Sequence, residues 1–365
     1  MVAGVSIEGV RAQAFEIPTD KPEADGTIAW DSTTLVLVEV SGGGETGVGY
    51  SYSAASIVDL VSGKLAAAIE GQDALNPQAA WLAMQRSVRN LGREGLAATA
   101  ISALDAAIHD LKARLLGLPL FRMLGSYRDS VPIYGSGGFT TYSDRELEAQ
   151  LCGWVEREGC SLVKMKVGSQ PDRDIGRVKA AKQAIGAGAT LFVDANGAYR
   201  VQQALEFANE FAEQRVGWFE EPVSSDDLAG LRAMRQRAPV GMDIAAGEYA
   251  FTVDYVREML EAQAVDVQQA DITRCGGVTA FLQIAALCEA FHTDLSAHCA
   301  PSLHLHVACA SPRLRHLEWF HDHVRIEQML FDGAPVPING EIRPDASRPG
   351  NGLRFKHQDA ARYAL

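Results

Sequence analysis

Three acids, Asp194, Glu220 and Glu248, close short runs rich in β-branched and aromatic residues (ATLFVDANG, VGWFEEP, MDIAAGE), 26 and 28 residues apart. Carboxylates brought together repel and raise one another's pKa. A hard divalent cation relieves the repulsion, and an all-oxygen donor set suits Mg2+, which keeps positions open for water or substrate. Asn196 follows Asp194 by two residues and can face the same side. Any one of these acids could equally cap a following helix; three in consecutive units point to metal. Upstream, in SLVKMKVG, strand alternation puts Leu162, Lys164 and Lys166 on one face and Val163, Met165 and Val167 on the other. The apolar triplet should pack under helices, leaving both lysines pointing inward. Their mutual repulsion is expected to lower at least one pKa and give a base. Downstream, Asp271 and His298 end neighbouring runs. A carboxylate bonded to an imidazole fixes its tautomer and makes a general base. Glu318 ends the last run and is expected near the lysine strand, as an acid or as a hydrogen-bond donor to an oxyanion.

The elements that must position these groups follow a period. Eight strand-like runs (VPIYGSG, LVKMKVG, ATLFVDANG, VGWFEEP, MDIAAGE, AVDVQQAD, TDLSAHC, RHLEWF) alternate with helix-length segments, and their closing polar residues stand 20 to 28 residues apart. That spacing predicts an α/β protein with a (β/α)8 barrel over residues 126–325, its site at the C-terminal strand ends. Residues 1–125 read as a small α+β domain: strands at 3–17 and 32–41, a short one at 47–52, then three helices. The clearest helix spans about 97–116, with Ile101, Leu104, Ile108, Leu111 and Leu115 on one stripe. The segment 326–365 is turn-rich and is expected to return to the first domain. His304 and His306 fall in a helix and are not read as ligands. His316, His321 and His323 are read as incidental, the last two at most rimming the mouth.

Composition bounds the partners. With 33 Lys+Arg against 46 Asp+Glu among 365 residues, the formal charge is −13. This excludes a general nucleic-acid binder or an adsorber to anionic membranes. Six cysteines without a C-x-x-C pair do not make a disulfide scaffold. No membrane-length apolar run and no leader are visible, so a reduced, cytoplasmic protein is expected. An anionic substrate conflicts with −13 only at first sight, because two lysines and a dication beside three acids can make the mouth locally attractive.

Taken in order, these motifs resemble the enolase superfamily, and within it the mandelate racemase group. The likeness reaches the first domain, where AISALDAAIHDLKARLLGLPLFRMLG is similar to the family's capping helix, and implies that residues 1–125 with the segment 326–365 form an α+β capping domain on the barrel. The resemblance implies Lys164 and Lys166 as the K-x-K lysines, Asp194, Glu220 and Glu248 as Mg2+ ligands, Asp271 with His298 as the dyad, and Glu318 as the late acid. It implies removal of the proton α to a substrate carboxylate, with an enediolate stabilised by the metal, Lys164 and Glu318, and Lys166 and His298 on opposite faces. It also implies assembly into a homo-oligomer. Two departures stand out: Arg274 where a lysine is common, and His109 where tryptophan is frequent. Residues 19–31 (TDKPEADGTIAWD) form a polar capping loop, with Ile28 and Trp30 as its large apolar residues. That polarity favours a sugar acid and dehydration to a 2-keto-3-deoxy acid over an aromatic hydroxy acid. Trp30, Tyr52, Asn196 and Arg274 are the substrate-contact candidates, and Tyr50 could add a hydroxyl. Racemisation or epimerisation of a 2-hydroxy acid is the alternative, and a non-catalytic Mg2+/carboxylate-binding barrel is the reading from another class.

Overall fold

The computed structural model describes residues 4–365. Three antiparallel strands, β1 (Gly9–Ala24), β2 (Ala29–Gly42) and β3 (Glu45–Tyr52), form the first sheet in the order β1-β2-β3. The predicted strand 3–17 therefore begins later and runs further, its residue 3 lying outside the described residues. The predicted capping loop 19–31 is a β-hairpin, with only the turn between Ala24 and Ala29 outside the strands. Its prolines explain the difference. They cannot donate to a ladder, and they fall at the irregularity where pairing slips between Pro18 and Glu23. At the turn, Oδ1 of Asp25 accepts from the amides of Thr27 (2.6 Å) and Ile28 (2.8 Å), a local closure that aspartate supplies readily.

Helical segments follow at residues 57–69, Pro77–Ser87 and Leu96–Leu115, with a short one at Leu120–Leu124. The helix Leu96–Leu115 is buried on nearly every side, not only along its apolar stripe. Ile101, Leu104, Ile108 and Leu111 pack on Val36, Val38 and Val40 of β2. Its other face docks on the barrel, where Asp105 accepts from the amide and hydroxyl of Thr279, both at 2.8 Å. His109 also bonds Thr279, at 3.1 Å, so this residue is structural.

Eight parallel strands come next: β4 (Val131–Gly137), β5 (Leu162–Lys166), β6 (Thr190–Asp194), β7 (Trp218–Glu220), β8 (Asp243–Ala246), β9 (Val267–Ala270), β10 (Asp294–Ala297) and β11 (Leu314–Phe320). They pair in sequence order, and β11 pairs with β4 to close the barrel. Outward side chains such as Val163, Met165, Leu191, Val193, Phe219 and Ile244 join the main core under the helices. Inward side chains stack in layers. Tyr134, Leu162, Phe192, Trp218, Ala245 and Val267 form an apolar floor. One step along, the same strands present Ser136, Lys164, Asp194 and Glu220.

The chain then returns to its start. Phe331–Asp332 pairs with Arg354–Phe355, Glu341–Ile342 adds an antiparallel partner to β4, and Phe355 packs on Phe15 with ring centroids 5.1 Å apart. All six cysteines are free. Among the described residues, no helix is long and apolar enough to cross a membrane.

In the cap, β3 and Leu96–Leu115 approach each other closely through Gly47 and Gly49. A Cβ on Gly49 would stand 2.2 Å from the carbonyl oxygen of Ala103, a distance no packed pair tolerates. Gly49→Val is therefore expected to cost at least about 1–3 kcal/mol, seen as a fall of several degrees in the melting temperature. An unchanged melting temperature would show that the two elements can separate freely.

Candidate active site

Register places the first groups. Lys166 pairs with Asp194 across β5 and β6, and Asp194 pairs with Glu220 across β6 and β7, so three inward side chains stand abreast at the strand ends. Glu248 lies two residues beyond β8. Asp194, Glu220 and Glu248 are buried, and each offers an oxygen within 4.8 Å of the others'. Lys164, wholly buried, lies 2.6 Å from Oε1 of Glu220, 2.8 Å from Oε1 of Glu318 and 3.4 Å from Oδ2 of Asp194. Lys166 donates to Oδ2 of Asp194 at 2.6 Å and to Oδ1 of Asn196 at 3.1 Å.

The electrostatics follow from these distances. Burial and the adjacent Asp194 push Glu220 up, to about 8. Burial would also raise Asp194, but Lys166 and Lys164 hold it below the usual carboxylate range. The expected depression of a lysine pKa is absent. Burial pulls both ammoniums down, but Glu220 and Glu318 at Lys164, and Asp194 at Lys166, outweigh it and hold both above the ordinary range. Two lysines repel, but more carboxylates surround them than the K-x-K motif alone suggests. Oε2 of Glu248 is buried without a hydrogen-bond partner. An all-oxygen donor set with an unsatisfied carboxylate atom fits a hard dication such as Mg2+.

Across the mouth, Nδ1 of His298 lies 2.8 Å from Oδ2 of Asp271. Oδ1 of Asp271 accepts from the amide and hydroxyl of Thr273, both at 2.7 Å, which fixes the carboxylate. Against the cost of burial, His298 holds Asp271 well below the usual range. Burial lowers His298, but Glu248, Glu318 and Asp271 together raise it above its ordinary value. Glu318 accepts from Ser136 Oγ at 2.5 Å and from the amide of Cys299 at 3.1 Å. Burial notwithstanding, Lys164 and His298 hold its carboxyl far down. It therefore stands as an ionised acceptor rather than the expected hydrogen-bond donor. His304, inside the core, accepts from the amide of Ile272 at 2.8 Å, and His316 bonds Ser296 at 2.9 Å in the barrel interior; neither lines the cavity.

A cavity of about 300 Å³ opens over these groups. Lys166, Asn196, Glu248, Arg274, His298 and Glu318 line it, with Lys164, Asp194, Glu220 and Asp271 directly behind. The hairpin closes the far side with Asp25, Ile28 and Trp30. Its tip sits tightly, since a Cβ on Gly26 would stand 2.3 Å from the carbonyl oxygen of Ala195 beside Asp194. Trp30 presents its ring, because its indole N–H already donates to Glu23 at 2.8 Å. Tyr52 lines the cavity stacked on His323, centroids 3.5 Å apart. Tyr50 does not reach it; its hydroxyl donates to Glu327 at 2.6 Å in the core. Arg274 lies 3.3 Å from Glu248 and 3.5 Å from Asp271, bridging the triad and the dyad. His323, expected at most at the rim, lines the cavity, as do Tyr249, Phe320 and Cys299, which the sequence does not single out. Cys299 follows an inward residue and should by alternation point away. Left-handed backbone at Cys299 (φ 53°) and Ala300 (φ 38°) brings it in, and no residue type there signals that turn.

Comparison with known proteins agrees with this geometry. Residues 14–125 match the mandelate racemase/muconate lactonizing enzyme N-terminal domain, and residues 146–360 match the enolase C-terminal domain-like family. The chain is 31% identical to 3,6-anhydro-alpha-L-galactonate cycloisomerase of Streptomyces coelicolor, over 98% of this chain and 99% of that one. It is also 31% identical to L-talarate/galactarate dehydratase of Salmonella typhimurium, over 90% and 86%. A solved mandelate racemase/muconate lactonizing enzyme-like protein from Rubrobacter xylanophilus superposes with TM-score 0.97 at 50% identity, over 99% of this chain and 100% of that one. A racemase from Streptomyces coelicolor, solved with bound magnesium, superposes at 0.92 with 29% identity, over 98% and 100%. With both domains matched and magnesium as the cofactor, the chain is an enzyme that belongs to the mandelate racemase/muconate lactonizing enzyme family of the enolase superfamily.

Proposed function

We propose that this enzyme removes the proton α to the carboxylate of a sugar acid and expels the β-hydroxyl as water, giving a 2-keto-3-deoxy acid. The observation that carries the reading is that Lys166 and His298, from strands on different sides of the barrel mouth, line one cavity beside an all-oxygen triad. Asp194, Glu220 and Glu248 would hold the Mg2+, which when bound supplies positive charge to polarise the substrate carboxylate. The remaining work falls to side chains. His298 becomes a neutral base once the charge of Glu248, which favours its imidazolium, is directed elsewhere; it then accepts a proton at Nε2, and Asp271 stabilises the imidazolium. Lys166 becomes a usable base once the charge of Asp194 is directed elsewhere, because that carboxylate is what keeps its ammonium protonated. Lys164 sets a permanent positive charge against the developing oxyanion. In dehydration one of the two bases takes the α-proton, the β C–O bond breaks, and an acid returns a proton to the leaving hydroxyl; the enol then gains a proton at C3 and gives up its hydroxyl proton, leaving the ketone at C2.

A sugar acid fits the far wall, where Asp25, Ser32, Thr33, Thr34 and Ser53 offer hydroxyl partners. The dehydratase relative supports loss of water. A second reading, cycloisomerisation without loss of water, is favoured by near-complete mutual coverage with the cycloisomerase relative. A panel of stereoisomeric aldonic, aldaric and anhydro-sugar acids, incubated with enzyme and Mg2+, separates the two. A 2-keto-3-deoxy product from at least one acid is expected. Products that all keep the mass of their substrate would replace dehydration by isomerisation, and no product from any acid would contradict both.

The metal assignment has its own test. Glu248→Gln removes the charge of a carboxylate whose Oε2 lacks a partner, and is expected to weaken Mg2+ binding at least about 10-fold by calorimetry, as perturbing a metal's ligand environment commonly does. Unchanged affinity in the folded variant would remove Glu248 from the ligand set.

A further inference from the structure

Beside the oxygen triad, the barrel mouth holds donors of a different chemical kind. Nε2 of His298, Sγ of Cys299 and Oε2 of Glu318 face one another. The N···S distance is 3.3 Å, the S···O distance 3.4 Å and the N···O distance 3.6 Å. A tetrahedral zinc ion, bonded at about 2.0–2.2 Å to nitrogen and oxygen and about 2.3 Å to sulfur, holds its ligand atoms roughly 3.3–3.7 Å apart. Three corners of such a tetrahedron are therefore in place before any ion arrives.

The surroundings complete the arrangement. Nδ1 of His298 is anchored on Asp271, the carboxylate–histidine support that zinc-binding imidazoles usually have. The left-handed turn at Cys299 directs its sulfur into the mouth, while its amide donates to the same Glu318 oxygen. All three side chains line the cavity, so an ion has a path in, and Oε2 of Glu248, 3.3 Å from Nε2 of His298, borders the site on the side of the triad. We propose that His298, Cys299 and Glu318 form a second metal site, specific for a thiophilic dication such as Zn2+ or Cd2+ and distinct from the Mg2+ triad. Binding displaces the thiol proton to solvent and forms a metal–thiolate bond, with no change in oxidation state. Mg2+ does not compete, because it prefers oxygen donors to sulfur. An ion there occupies Nε2 of His298 and an oxygen of Glu318, so it excludes substrate. That inhibitory consequence rests on the roles proposed above; the site itself does not.

The test is a titration of the enzyme, saturated with Mg2+, by Cd2+. A cadmium–thiolate absorption band in the ultraviolet, reaching its plateau at one equivalent, is expected for the wild type and is lost in Cys299→Ser and Cys299→Ala. Zn2+ should erase the band by competition. His298→Asn keeps the cysteine and is expected to weaken Zn2+ binding at least about 10-fold, which holds the proposal open to refutation should both cysteine variants misfold. No band in the wild type, a band of full height in either folded cysteine variant, or unchanged zinc affinity in His298→Asn would overturn it. None of these signals needs turnover, so the zinc site and the dehydration reading fail separately.

Discussion

Charge balance inside the barrel is the constraint on which the rest depends. Two ammoniums and at least four carboxylates are taken out of water at the ends of β5, β6, β7 and β11 and just beyond β8. Each buried ion costs several kcal/mol, and mutual attraction repays this only with close geometry. Lys164 meets that condition, with three carboxylates within 3.4 Å. The cluster remains short of positive charge, as the upward shift of Glu220 registers, and Oε2 of Glu248 accepts no hydrogen bond although Nε2 of His298 stands 3.3 Å away. An ionic core of this kind is a poor route to stability. Its arrangement makes sense as a receptor for a dication and an anionic ligand, which also reconciles a net charge of −13 with a carboxylate substrate.

The capping elements act on the same space. Leu96–Leu115 is locked to the barrel through Asp105 and Thr279, and the β1–β2 hairpin leans from that base over the strand ends. Gly26 touches the segment that carries Asp194, so the wall that would read the distal half of a substrate is held against the wall that would bind its carboxylate. Hydroxyl-bearing side chains of β2 and Ser53 thus enter the cavity beside the rings of Trp30 and Tyr52, giving its far side polar as well as aromatic partners.

Much of this was legible in the sequence, and the exceptions are physical. A period of 20–28 residues marks the barrel, and alternation within LVKMK turns both lysines inward. Closure of the barrel then brings Glu318 to Lys164. Pairwise reasoning about the two lysines failed because their protonation depends on carboxylates from three other strands. The hairpin read as a loop because prolines and charges dominate it, while its pairing simply skips them. Tyr50 and Tyr52 share a strand face, and only their positions along it separate a core hydroxyl from a cavity wall. Cys299 was out of reach because a backbone turn, not a residue type, delivers it.

The central claim is that Lys166 and His298 address one α-carbon from opposite faces. Proton exchange in D2O, followed by NMR on a bound sugar acid and its α-epimer, tests it most directly. Mg2+-dependent exchange of both epimers is expected in the wild type, with Lys166→Ala losing exchange for one epimer and His298→Ala for the other. Exchange that survives intact in both variants, or never occurs with an acid that binds, would contradict the account.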